Sequence, residues 1–205
     1  MKYYFLSENC FIYNLSDKLS IDDSINILKI YKDIYSDKQF MSKIGIYDIV
    51  PAYNSIAFHY KNTDHMLIEK EVLTKIKNVN YSTEIESKTH IIDVIYDGLD
   101  IENAINSLGI TKKELINVHT SNEYHVAMLG FKPYLPYLLG LDKSISLPRL
   151  KTPRNHISVG SIGIGGAQTT VFTTDTPSGW NIIGNTSFRE FNQFAPGDKI
   201  IFREV

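Results

Sequence analysis

The spacing of apolar and polar positions changes character about halfway along the chain. In the first half it predicts long, regular elements. Residues 10–14 (CFIYN) read as a short strand, and Ile21, Ile25, Leu28, Tyr31 and Tyr35 then recur at helical spacing through Asp37. Ser20, three residues ahead of Asp23, is placed to cap that helix. Residues 44–50, ended by Pro51, and 55–60 (SIAFHY) are strand-like. Thr63 or Asp64 can cap a second helix with Ile68, Val72 and Ile76 four apart, and after a polar stretch 90–96 (HIIDVIY) is again a strand. The order β-α-β-β-α-β predicts a ferredoxin-like split sheet over residues 1–96.

Beyond Asp97 the elements shorten and glycine and proline punctuate them. Asp100 opens a short helix that Gly109 stops, and Thr111 with Glu114 forms a capping box opening a helix that carries His119 on its last turn. Residues 123–129 alternate, with Tyr124, Val126 and Met128 on one face. The two prolines in 130–140 predict neither helix nor central strand there, and leave Phe131, Tyr134 and Tyr137 to line a site or partner surface, or to pack as a lid. Residues 148–186 hold the only tryptophan, Trp180, and place Gly160, Gly163, Gly165 and Gly166 among β-branched residues. That composition predicts strand, tight turn and strand, with the backbone close to some neighbour. The chain closes with Pro196-Gly197 and a strand over 199–205. The expected class is α+β: a ferredoxin-like domain over 1–96, then a small β-barrel domain over 97–205.

The glycine run is neither a P-loop nor a dinucleotide fingerprint, because Gln168 and Thr169 stand where Lys-Ser/Thr would and a β-branched strand follows instead of a helix. A net charge of −2 gives no strong field to recruit nucleic acid or an anionic membrane. No stretch reads as a membrane span, and the N-terminus turns polar too soon for a signal peptide. A single cysteine, Cys10, excludes an internal disulfide framework and fits a reducing cytoplasm. It sits early in a strand and reads as a buried small side chain. His59 and His65 do not have metal-ligand spacing, and no Ser–His–Asp, Cys–His or zinc pattern emerges. The polar groups that gather around the glycine turns in sequence are His119, Tyr124, Arg149, Thr152, Arg154, Gln168 and Thr169. They suit a small polar ligand, with Arg149 and Arg154 offering planar donor forks.

Several of these runs together resemble the family of the B-type subunit of 5-oxoprolinase, also called allophanate hydrolase subunit 1 or kinase A inhibitor. The likeness begins at His119-Thr-Ser with Tyr124, Gly130-Phe131-x-Pro133 and Pro136-Tyr137-Leu138. It continues through Pro148-Arg149, Pro153-Arg154, Gly160-Ser161-x-Gly163-Ile164-Gly165 and Gln168-Thr169, and ends with Gly179-Trp180, Ile183-Gly184-x-Thr186 and Pro196-Gly197-Asp198. The resemblance implies a cyclophilin-like barrel and partners homologous to the C-type and A-type subunits of 5-oxoprolinase. It also implies ATP in the complex, with or without magnesium, and opening of the lactam of 5-oxo-L-proline to L-glutamate. It extends to the two halves of the carboxyltransferase domain of urea carboxylase. Arg149, Arg154 and His119 are the expected reacting groups, with the Gly160–Gly166 amides supporting developing charge. Tyr124, Phe131, Tyr137, Thr152, Gly163, Gly165, Gln168 and Thr169 are expected to hold substrate. One branch of the family inhibits a sensor histidine kinase, which is the competing reading. A third, prolyl isomerase activity, would rest on the barrel fold alone. The chain departs from the family at Tyr134, where glycine is usual, and at Ser158-Val159 and Ser178.

Overall fold

The computed structural model describes residues 2–61 and 64–205, which divide into two compact units, Met1–Glu86 and Ser87–Val205. Thr63, one of the two expected helix caps, lies outside the described residues.

In the first unit, strands β1 (Lys2–Ser7), β2 (Cys10–Asn14), β3 (Ile46–Ala52) and β4 (Ser55–Tyr60) form an antiparallel sheet in the order β1-β2-β4-β3. Helix α1 (Ile21–Ser36) starts where Ser20 accepts the Asp23 amide at 3.0 Å. It ends at Asp37, whose carboxylate caps the next helix, α2 (Lys38–Ile44), by accepting from the Phe40 amide at 2.9 Å. Gly45, at φ 78°, stops α2 in the left-handed region, where a side chain is disfavoured. Asp64 caps α3 (His65–Lys77). The apolar stripe of the helices (Ile27, Ile30, Ile34, Ile68, Val72, Ile76) packs with Phe11, Tyr13, Ile56 and Phe58 from the sheet, all buried. Each such side chain contributes about 1.5–3 kcal/mol.

The split β2-α1-β3 arrangement, with β4 between its strands, is therefore present. The closing strand is not the expected one. The place beside β2 belongs to β1, an N-terminal hairpin partner, and the boundary falls between Glu86 and Ser87 rather than after Tyr96. The expected last strand, β5 (Thr89–Val94), runs parallel to β13 (Lys199–Glu204) in the second unit. Its apolar alternation satisfies either sheet equally, so periodicity alone could not choose between them.

The second unit carries β5, helices α4 (Ile101–Leu108) and α5 (Lys112–Thr120), and strands β6 (Glu123–Leu129), β7 (Pro136–Leu139), β8 (Arg154–Ile157), β9 (Ser161–Ile164), β10 (Thr169–Val171), β11 (Thr176–Ser178), β12 (Asn181–Asn185) and β13. Its main sheet has the order β12-β9-β10-β7-β6-β13-β5, while β8 and β11 pair as a separate ribbon. The two ends of the main sheet meet. Ile95 and Asn185 exchange both backbone hydrogen bonds at 2.9 Å, and the Gly98 amide reaches the Ile183 carbonyl at 3.2 Å. A Cβ on Gly98 would lie 2.4 Å from the Gly184 nitrogen, so glycine is what lets the barrel nearly close. Inside lie Ile92, Val94, Val126, Leu138, Ile162, Ile164, Ile183 and Phe202.

The capping box at Thr111 and Glu114 forms as expected, in both directions, at 3.2 and 2.7 Å. Residues 130–140, however, contain a central strand: β7 pairs with β6 and β10. Pro136 is its first residue, a position at which strands tolerate the missing N–H. Strand β6 also shifts register between Val126 and Met128, so strict alternation stops there.

Candidate functional site

The β9–β10 hairpin separates two environments. On one side, the Tyr96 hydroxyl lies 2.7 Å from His119 Nδ1, and His119 Nε2 lies 3.0 Å from Thr169 Oγ1. Thr169 donates its only hydrogen to the Gly163 carbonyl at 3.0 Å. The imidazole must then donate from Nε2 and accept from Tyr96 at Nδ1, which fixes one neutral tautomer. The Tyr124 hydroxyl donates to the His119 carbonyl at 2.8 Å, and the His119 ring stacks on Phe202 at 4.7 Å. His119, Tyr124 and Thr169 are all 0% exposed. Burial drives the His119 pKa from 6.5 down to about 3, and raises the phenols of Tyr96 and Tyr124. The expected roles of His119 as a reacting group, and of Tyr124 and Thr169 as substrate contacts, give way to this placement. All three are buried in the core, away from the lining of the cavity described next.

On the other side, Thr170 lines a cavity of about 310 Å³. Its apolar wall is Phe131, Leu135, Tyr137, Phe172 and Trp180, and the β8–β11 ribbon adds Pro153, Pro177, Ser178 and Gly179. Trp180 lies flat against Gly165, where a Cβ would come within 2.6 Å of the indole. The neighbour that the glycine run makes room for is thus the chain's own tryptophan. Tyr137 meets that indole edge-on at 5.9 Å. Burial raises the Tyr137 phenol pKa, with Arg149 opposing the shift.

Arg149 is exposed at the mouth of this cavity, with its guanidinium 5.4 Å from the Trp180 ring centre. The other arginines are occupied. Arg203 pairs with Asp93, Arg189 donates to the Thr186 and Phe188 carbonyls, and Arg154 pairs with Asp100. Among the described residues Arg149 has no hydrogen-bond or ion-pair partner, only the indole face. Ser178 accepts the Trp180 amide at 3.1 Å, which leaves its hydroxyl hydrogen to donate. A cation, a hydroxyl and a flat apolar wall together suit a small anion with a planar body.

The structure brings together Arg149, Phe131 and Tyr137 from the expected set, backed by Gly163 and Gly165. It does not bring Thr152, which is exposed and off the cavity lining, or Gln168, which is buried and accepts the Gly165 amide at 3.0 Å. Nor do the glycine amides form an anion cradle. Those of Gly160, Gly165 and Gly166 are spent on the carbonyls of Phe172, Gln168 and Leu147. Among the described residues no three His, Cys, Asp or Glu side chains gather as a metal-holding group. Sequence reasoning missed Thr170, Phe172, Leu135 and Ser178, whose positions follow from strand pairing. Only the Pro177-Ser178-Gly179-Trp180 run carried a local signal.

The carboxyltransferase domain, subdomain C and D, family matches residues 1–200. A protein of Escherichia coli O157:H7, named as the B-type subunit of 5-oxoprolinase, is 32% identical over 77% of this chain and 78% of its own. The crystal structure of TTHA0988 superimposes with a TM-score of 0.82 at 24% identity, covering 96% of this chain, which spans 40% of that one. Kluyveromyces lactis urea carboxylase gives a TM-score of 0.80 at 12% identity, covering 99% of this chain and 21% of that one, a likeness of fold. The chain therefore belongs to the family of carboxyltransferase domains, subdomain C and D, that includes proteins named as the B-type subunit of 5-oxoprolinase.

Proposed function

We propose that this chain is the B-type subunit of an ATP-dependent 5-oxoprolinase, and that the Trp180 cavity holds 5-oxo-L-proline. The observation that carries the reading is Arg149, a guanidinium without an ion-pair partner among the described residues, lying over an indole at the mouth of the cavity. A five-membered lactam carboxylate matches that chemistry. Its ring lies on Trp180, its carboxylate meets Arg149, and its amide oxygen accepts from Ser178. The chain's own part is to bind and orient the lactam and to screen it from water with Phe131 and Tyr137.

The glycine run offers no fit for the phosphates of ATP, because the Gly160, Gly165 and Gly166 amides are already bonded and strand β10, not a helix, follows. In this reading ATP is held by the partners, homologues of the C-type and A-type subunits of 5-oxoprolinase, and the chain alone does not turn over substrate. The test is 5-oxoproline-dependent ATP hydrolysis by the reassembled complex with Arg149→Ala in this chain. A loss of about 100-fold with assembly intact supports the reading, and unchanged turnover rejects it.

A further inference from the structure

The β8–β11 ribbon supplies one wall of the Trp180 cavity, yet it stands outside the ladder of the barrel sheet. Strands of four and three residues, paired only with each other, need outside ties to hold position. The ribbon borders a second space as well. His156, Ile157 and Ser158 border a second cavity of about 260 Å³, facing Asp97 and Asn185. The ribbon thus has one apolar anchor, Ile157, packed with Leu135, Phe172, Trp180 and Ile182, and polar ties share in holding the rest of the wall in place.

One tie stands out. Asp100 occupies the N-cap position of α4 but gives no side-chain bond to that helix. Its carboxylate, 2% exposed, turns instead to accept the Ile182 amide at 2.7 Å and two N–H groups of Arg154, one of them at 2.9 Å. A buried carboxylate filled by a guanidinium fork is geometrically exacting, and here it joins α4, β12 and the ribbon at one point.

We infer that Arg154 is a positioning residue for the Trp180 cavity. It latches the ribbon to Asp100, and so fixes the wall that carries Pro153 relative to Trp180, without meeting the ligand. The functional consequence rests on the cavity being the substrate site, while the latch itself does not.

Trp180 is the only tryptophan, so its emission reports on the cavity in the intact chain. Two measurements separate the ideas: acrylamide quenching of Trp180 without ligand, and titration of the emission with 5-oxo-L-proline. Arg154→Lys keeps the positive charge but loses the fork, and Asp100→Asn keeps the shape but loses the charge. Each is expected to raise the quenching constant about twofold and to weaken 5-oxo-L-proline binding about tenfold, with the far-UV circular dichroism of wild type. The neutral pair Asp100→Asn with Arg154→Gln, which buries no unpaired charge, should behave the same way if a single variant fails to fold. Arg203→Gln, on β13, should change neither reading. Unaltered quenching in the folded variants overturns the latch. Weakened binding with unaltered quenching also overturns it, because Arg154 would then touch the ligand. If wild type gives no response to 5-oxo-L-proline while the latch variants raise quenching, the latch stands and the substrate reading falls.

Discussion

Thr169 and Thr170 are neighbours on one strand, and both are buried, yet they belong to different parts of the molecule. Thr169 faces His119 in a closed chain of hydrogen bonds running from Tyr96 to Gly163. Thr170 donates to the Pro136 carbonyl at 2.6 Å and lines the open cavity under Trp180. The two-residue period of a strand is enough to make one hydroxyl framework and the next a cavity wall. Polar residues crowded in sequence are thus not a site until the pleat assigns them a side. The same lesson separates Arg149 from Arg154: one lies over the Trp180 indole, the other is consumed by Asp100.

The contrast is broken most severely on its open side. Arg149→Ala should cut 5-oxoproline-dependent turnover of the assembled complex about 100-fold, near 2.7 kcal/mol, without lowering stability. On the closed side the opposite signature is expected. His119→Ala leaves a cavity and strands the Tyr96 hydroxyl, so chemical denaturation should show a loss of about 3 kcal/mol. Gly165→Ala touches the hairpin itself. Its Cβ would press on the Trp180 indole, so a loss of about 1–3 kcal/mol and a shifted Trp180 emission are expected.

A pH series tests the closed side more gently. In the unfolded chain the His119 imidazole takes up a proton below about pH 6.5, while the folded site refuses it until about pH 3. The unfolded state therefore binds more protons across that window, and stability falls by about 1.4 kcal/mol for each unit of acidification within it. Above pH 7 this contribution is flat. His125, lowered by burial and then by Lys199, acts in the same direction, so the test is the difference between wild type and His119→Gln. An equal slope in both would show that His119 is not the proton-excluding group. The smallest effect is expected at the exposed Arg203–Asp93 pair, where Arg203→Ala should leave the melting midpoint within error.

Local chemistry was legible in the sequence wherever its partners are near in the chain. Ser20, Asp64 and the Thr111–Glu114 box cap the helices they were expected to cap, and Gly109 ends α4 at φ 68°. The hairpin at the glycine run was readable for the same reason. The fate of 90–96 was not, because an apolar strand alternates identically beside β2 or beside β13. Nor was β7, where two prolines argued against a strand whose first residue tolerates one of them.

By itself, the sequence determined helices α1, α3 and α5 with their caps, helix α4, most of the strands and the family. Each of these depends on residues a few positions apart, or on motifs that need no geometry to recognise. The tertiary structure alone decided which sheet took β5, which side of β10 faced the cavity, and which of two arginines kept its charge available. Those outcomes turn on partners such as Asp100 and Arg154, 54 positions apart, whose meeting is a product of strand pairing and leaves no local trace in the chain.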